Sequence, residues 1–201
     1  MRFEIVVIGA SSGGLKALQL LLSELSKQFQ LPMVIVQHRG KDSDSGLCEF
    51  LARYSELPIS EPDDKEPVLG GHVYLAPRDY HLMIEKRSFA LSTDAPVAFA
   101  RPSIDLMFES AAAEYGRKVI GLVLTGANSD GARGLARIRS RGGLTMVEDP
   151  AEAAFPEMPL AAIRAITVDW VVPLKQIAPL LERLTCAQNG TRCQLKNELI
   201  F

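Results

Sequence analysis

A glycine-serine turn, one histidine and one aspartate carry the residue types and the spacing that could do chemistry in this chain. Gly9-Ala10-Ser11-Ser12-Gly13-Gly14 follows a β-branched run directly and opens a leucine-periodic segment, so it joins a strand to a helix. Three chemistries use such a turn. Dinucleotide binding needs G-x-G-x-x-G, and Ser11 stands at the second glycine position, which spoils close approach to a pyrophosphate. A P-loop needs Gly-Lys-Ser/Thr, whereas Leu15 follows Gly14. A nucleophile elbow, G-x-S-x-G, is matched residue for residue from Gly9 to Gly13. There the sharp turn exposes the serine oxygen at the top of a sheet, and the following helix aims free N–H groups at the same spot. The competing reading is that Ser11 or Ser12 only caps the helix.

A serine nucleophile needs a base, and the chain has three histidines. His38 follows Met33-Val34-Ile35-Val36-Gln37, at the C-terminal end of a second buried strand and hence on the same sheet rim as Ser11. His72 and His81 fall in a region of short extended runs and read as structural. The orienting acid should share that rim. The run Lys118–Leu124 ends in Thr125-Gly126-Ala127-Asn128-Ser129-Asp130-Gly131, which puts Asp130 just past another strand end. Asp130 or Ser129 could equally cap the helix that follows, and Asp105 and Asp149 are further candidates. Position favours Asp130. The chain order Ser, His, Asp matches none of the α/β-hydrolase, chymotrypsin or subtilisin orders, so the triad would sit on another scaffold.

The elements that must position these groups follow from periodicity. Phe3–Ile8 has no polar alternation after Glu4, as expected of a strand buried on both faces. Leu15, Leu18, Leu21, Leu22 and Leu25 predict a helix, Met33–Val36 a strand, and 46–54 a helix. Residues 57–94, broken by Pro58, Pro62, Pro67, Gly70, Gly71 and Pro77, read as an inserted antiparallel hairpin region with runs at 73–75, 81–86 and 89–92. Helices are expected over 103–115, 131–140 and 158–165, and strands over 118–124, 144–147 and 166–172. Pro179 suggests a kink or a late start in a final helix after Pro173. Strands alternating with helices mean a mostly parallel sheet covered on both faces.

Composition narrows the function classes. The 201 residues are 47% hydrophobic and 23% charged, the balance of one globular domain. A net charge of −2 supplies no general basic field, so no nucleic-acid partner is expected. No apolar run is long enough for membrane insertion, and the N-terminal apolar stretch is too short for a signal peptide. Cys48, Cys186 and Cys193 form neither a paired framework nor a C-x-x-C, and no ligand cluster suggests a metal or organic cofactor. A cytoplasmic enzyme or signalling domain is expected. Arg133, Arg137 and Arg141 fall on one helical stripe, read as a solvated face unless it docks an acidic partner.

The motifs I-G-A-S-S-G-G, V-Q-H, A-R-P-S-I-D, L-T-G-A-N-S-D-G and E-M-P, in this order from about Phe3 to Leu184, closely resemble the catalytic domain of CheB-type protein-glutamate methylesterases. The resemblance implies a three-layer α/β/α fold with a seven-stranded, mostly parallel sheet. It also implies Ser11 as nucleophile, His38 as base and Asp130 as its orienting acid, with no cofactor. Elbow geometry makes the backbone N–H of Ser12 an oxyanion donor, and Ala127 in the 126–128 loop a second. The resemblance further suggests that Arg101, Met158 and Pro159 line the substrate cleft, although a proline near a helix start is also plain helix grammar. The substrate would be glutamate γ-methyl esters on a methyl-accepting chemoreceptor, with glutamine deamidation by the same chemistry.

Two departures stand out. The family pattern has Met-Gly where this chain has Ala127-Asn128, beside the oxyanion region. The usual N-terminal receiver domain is also missing from a chain that begins at its first catalytic strand, so regulation by a separate receiver or regulatory protein, or none, is expected. The catalytic domain is expected over 1–186 and a polar tail over 187–201. Two alternatives stay open on the residues: the same triad acting on an ester outside chemotaxis, and a non-catalytic α/β module using the glycine turn to hold an anion.

Overall fold

The computed structural model describes residues 2–39 and 46–186. The expected tail at 187–201 and Cys193 lie outside the described residues. The first strand, Ile5–Ala10 (β1), is buried at every position, which is why its sequence carries no polar alternation. Its side chains divide between two cores. Val6, Ile8 and Ala10 face a cluster with helices Gly14–Ser23 (α1), Leu47–Ala52 (α2) and Leu174–Cys186 (α6). Ile5 and Val7 face a second cluster with Ile104–Tyr115 (α3), Ala132–Ser140 (α4) and Glu157–Ala165 (α5). The sheet is therefore the middle of three layers.

Its seven strands run in the order β3-β4-β2-β1-β7-β8-β9. Besides β1 they are Met33–Gln37 (β2), Ile59–Ser60 (β3), Val73–Leu75 (β4), Val119–Val123 (β7), Leu144–Glu148 (β8) and Trp170–Val172 (β9). All the pairings are parallel. The chain winds outward from β1 through β2 to β4, then returns to pair β7 on the other side of β1. The strand order thus reverses at β1, and the crevice above its C-terminal end is where open α/β sheets bind ligands.

The inserted region differs from the sequence expectation. Only His81–Glu85 (β5) and Ser88–Ser92 (β6) form an antiparallel hairpin, with His81 opposite Ser92 and Glu85 opposite Ser88. Val73–Leu75 instead belongs to the main sheet, aligned with Met33–Ile35, and Ile59–Ser60 extends that sheet further. Such short strands between prolines carry too little periodicity to be assigned, and burial of Val73, Tyr74 and Leu75 in the interior decides their place. The last strand is confined to Trp170–Val172, shorter than expected, and α6 starts at Leu174 and runs through Pro179 without a late start.

Candidate active site

The turn after β1 is held open by bonds that consume no catalytic atom. Ser11 N–H donates to Thr125 O (3.0 Å), and Ser11 O accepts from Gly14 N–H (2.9 Å) and from Gln37 Nε2 (2.9 Å). Neither serine caps α1, whose N-cap is Gly13 with no side-chain bond. Gly13 takes φ +78°, and a Cβ there would lie 2.9 Å from Ala154 Cβ, so a side chain is excluded on two counts. Among the described residues, Ser12 N–H has no protein partner. Thr125 ties the turn to its neighbours: Oγ1 donates to Ser12 O (3.0 Å) and accepts from Phe155 N–H (2.8 Å).

His38 is the first residue past β2, and its N–H donates to Ala10 O (2.9 Å), which fixes it beside the serine turn. Its Nε2 lies 2.9 Å from Asp130 Oδ2, with the imidazole 14% and the carboxylate 3% exposed. The acid therefore engages Nε2 and leaves Nδ1 on the other edge of the ring. Asn128 fills that edge: its Nδ2 is 3.1 Å from His38 Nδ1 and 3.4 Å from Ser11 Oγ, and its Oδ1 accepts Asp130 N–H (2.9 Å). The last bond settles which end of the amide points at the ring, so Nδ1 is the acceptor and Nε2 carries the proton.

Asp130 does not cap the helix it precedes. Its carboxylate reaches across to the N-terminus of α3, accepting Ile104 N–H (2.7 Å), Asp105 N–H (2.9 Å) and the Ser103 hydroxyl (3.2 Å). Asp105 returns the exchange, with Oδ1 accepting Gly131 N–H (2.9 Å) and Gly134 N–H (2.7 Å) at the start of α4. Each aspartate satisfies the orphan donors of the other's helix. Burial pushes the Asp130 carboxyl up, but the bonds from His38, Asp105 and Ile104 outweigh it and hold Asp130 below the usual carboxylate range. For Asp105 burial wins, helped by the Asp130 charge, and its carboxyl is raised despite Gly134, Arg133 and Gly131. Asp105 thus serves the site by holding the loop of Asp130, not by touching His38. Asp149 turns back on its own loop, accepting Ala151 N–H (2.9 Å).

The 125–128 loop passes close over the serine. A Cβ on Gly126 would meet Met158 Sδ at 2.0 Å and Ser11 Cβ at 2.8 Å, so glycine is required. Gly126 N–H is used by Phe155 O (3.0 Å), whereas Ala127 N–H has no protein partner among the described residues. Met158 and Pro159, expected to line the cleft, are both buried, and Met158 N–H donates to Gly126 O (2.9 Å).

The cleft of about 600 Å³ above Ser11, His38 and Asn128 is closed on its far side by Pro96–Pro102. Arg101 lies in that wall, but Asp79 Oδ1 (2.7 Å) and the carbonyls of Thr93 (2.6 Å) and Asp94 (3.0 Å) engage its guanidinium. His72 pairs with Ser60 Oγ (2.8 Å), and buried His81 bridges Ser103 N–H (3.2 Å) and Ala95 O (3.2 Å), so both are structural as expected. Among the described residues no group of His, Cys, Asp and Glu could hold a metal, and no helix is long and apolar enough to cross a membrane.

Sequence reasoning missed Gln37 and Glu148. Gln37 Nε2 bridges Ser11 O and His38 O (2.7 Å), locking the two turns together. Glu148 accepts Thr125 N–H (2.7 Å) from the end of β8. Its burial raises its carboxyl above the ordinary value despite that bond, and Glu152 adds to the effect. Their only sequence signal is position at a C-terminal strand end.

Comparison with known proteins identifies the family. The family model for the CheB methylesterase matches residues 6–181. A Leptospira interrogans protein, provisionally named protein-glutamate methylesterase/protein-glutamine glutaminase, is 47% identical over 92% of this chain and 96% of its own length. An Anaeromyxobacter dehalogenans protein-glutamate methylesterase/protein-glutamine glutaminase is 40% identical over 92% of this chain, which spans 54% of that protein. The crystal structure of the Thermotoga maritima CheB methylesterase catalytic domain superposes with a TM-score of 0.87 at 34% identity, covering 92% of this chain and all of that one. The shared fold and the extent of the match show that the chain belongs to the CheB methylesterase family.

Proposed function

We propose that this chain hydrolyses glutamate γ-methyl esters on chemoreceptors, with Ser11 as nucleophile, His38 as general base and Asp130 as the group that orients it. The observation that carries this reading is the 2.9 Å bond between His38 Nε2 and the buried Asp130 carboxylate, made beside the Ser11 turn. Because Nε2 is held by Asp130, the proton of Ser11 goes to Nδ1, after the Asn128 amide has moved off that nitrogen. The serine oxygen adds to the ester carbonyl, and the negative charge on the carbonyl oxygen meets the N–H groups of Ser12 and Ala127, which have no protein partner among the described residues. Asp130 stays ionised throughout, its charge held by the α3 N–H groups, and stabilises the imidazolium.

Collapse of the tetrahedral intermediate breaks the C–O bond to methoxide, which takes the proton from Nδ1 and leaves as methanol. Water, deprotonated by the same nitrogen, then cleaves the acyl-serine to glutamate and free Ser11. A glutamine side chain fits the same sequence with ammonia as the leaving group, in keeping with the glutaminase in the relatives' names. No step calls for a cofactor.

The test is methanol release from a methylated chemoreceptor fragment by the wild type and by Ser11→Ala, with thermal melts alongside. A folded Ser11→Ala protein should lose the rate by at least about 10³-fold. Equal rates in the two proteins would remove Ser11 from the mechanism, and no methanol from either would remove the receptor ester as substrate.

A further inference from the structure

The wall of the cleft opposite Ser11 contains a feature the chemistry does not use. Phe99 is fully exposed at its tip. Val97 and Ala100 exchange both backbone hydrogen bonds (3.0 and 2.9 Å), leaving Ala98 and Phe99 as the two corner residues. Both corners have positive φ, +47° and +66°. Two-residue turns of this kind take Asn or Gly, because a side chain in the left-handed region is strained. Here the strained positions hold Ala and Phe, and an aromatic ring faces water where burial would have been favourable. Strain and exposure together, at the mouth of a cleft, mark a functional feature.

The turn is also braced. Arg101 clamps the preceding segment through the carbonyls of Thr93 and Asp94 while paired with Asp79, and buried His81 bonds Ala95 O. The ring is therefore presented from a rigid base. Its neighbours Pro96, Ala98 and Ala100 on the same wall are apolar. Arg101 and Arg39, the cations lining the cleft, already have Asp79 and Glu61 as partners. This wall favours an apolar partner over an acidic one.

We infer that Phe99 is a docking anchor for the protein substrate, inserting between apolar side chains that flank the ester-bearing glutamate. This rests on the proposed esterase reading, and it follows from reach. A glutamyl side chain is short, so bringing its ester to Ser11 brings the substrate backbone to the cleft mouth, where Phe99 stands. A small free ester fills the cleft without needing that contact. Phe99 thus separates protein esters from small ones, an anchor of the aromatic kind that dominates interfaces.

Two assays test this. Methanol release from a methylated receptor fragment and hydrolysis of p-nitrophenyl acetate are compared for the wild type, Phe99→Ala and Phe99→Leu. The same Phe99 changes in a Ser11→Ala background are titrated with the fragment to read affinity without turnover. Phe99→Ala should lower the ratio of fragment to small-ester kcat/KM by about 10-fold, mostly through KM, and weaken fragment binding by a similar factor. Phe99→Leu should recover most of both. The inference is overturned if the ratio and the affinity do not change, or if both esters lose rate in parallel. A change in the sedimentation of Phe99→Ala would instead assign the ring to a second copy of this chain. Absence of methanol release with Phe99-dependent binding intact would refute the esterase reading and leave the anchor standing.

Discussion

Replacing Asn128 by glycine, the residue the family pattern carries there, should raise turnover. The Asn128 amide donates to His38 Nδ1 at 3.1 Å, and that lone pair is the one the proposed mechanism needs for the Ser11 proton, since Nε2 faces Asp130 at 2.9 Å. Among the described residues no bond joins Ser11 Oγ to His38; the hydroxyl has the Asn128 amide at 3.4 Å instead. In the proposed mechanism each turnover breaks the amide–imidazole bond first. It is neutral and solvent-exposed, so its net worth is about 0.5–1.5 kcal/mol. Removing that cost gives roughly a 2- to 12-fold increase in kcat/KM. The same change deletes the acceptor of Asp130 N–H and adds a glycine to a loop, for a stability loss of about 1–2 kcal/mol. Methanol release from the receptor fragment at 25 °C, with melts alongside, reads both effects. A fall of 100-fold or more would refute the reasoning, because it would make the amide a transition-state donor. An unchanged rate would mean that the amide does not occupy Nδ1 in solution.

Two predictions concern the supports of the site. Asp105→Ala strips the acceptor from the buried Gly134 N–H and leaves Gly131 N–H with Asp130 Oδ1 (3.0 Å), so it should cost about 1–3 kcal/mol, a drop of roughly 2–12 °C in Tm for a domain of this size; a Tm equal to that of wild type would dismiss the reciprocal capping. Glu148 has a folded pKa raised above its ordinary 4.5, so the native state binds the extra proton, and the stability it confers when protonated is lost as pH rises through the folded value. Glu148→Gln removes that loss, so its stability relative to wild type should climb as pH rises from about 4.5; urea melts across pH 4–8 giving a pH-independent difference would contradict the assignment.

Ser11, His38 and Asp130 were legible because each lies just past a strand whose apolar run is unmistakable, and parallel strands deliver their C-terminal ends to one rim. The alternation of those runs with leucine-periodic helices was enough for the layered architecture. The proline-broken stretch was not readable in this way: Ile59–Ser60 and Val73–Leu75 are too short to show a period, and they join the sheet because the sheet edge has room to pair them. Met158 and Pro159 carried a motif but no depth: both are buried, and the packing of Met158 against Gly126 is a property of the tertiary fold.

What the amino-acid order alone determined is the set of groups proposed to react and the rim they share, since both follow from local periodicity and turn chemistry. Only the tertiary structure decided which imidazole nitrogen faces the acid, that Asn128 lies between serine and base, and that Asp130 is held below the usual carboxylate range by His38 together with N–H groups of a helix it does not precede. Those are hydrogen bonds between segments far apart in the chain, where no spacing rule applies. They exist because the folded sheet brings three strand ends within reach of one another.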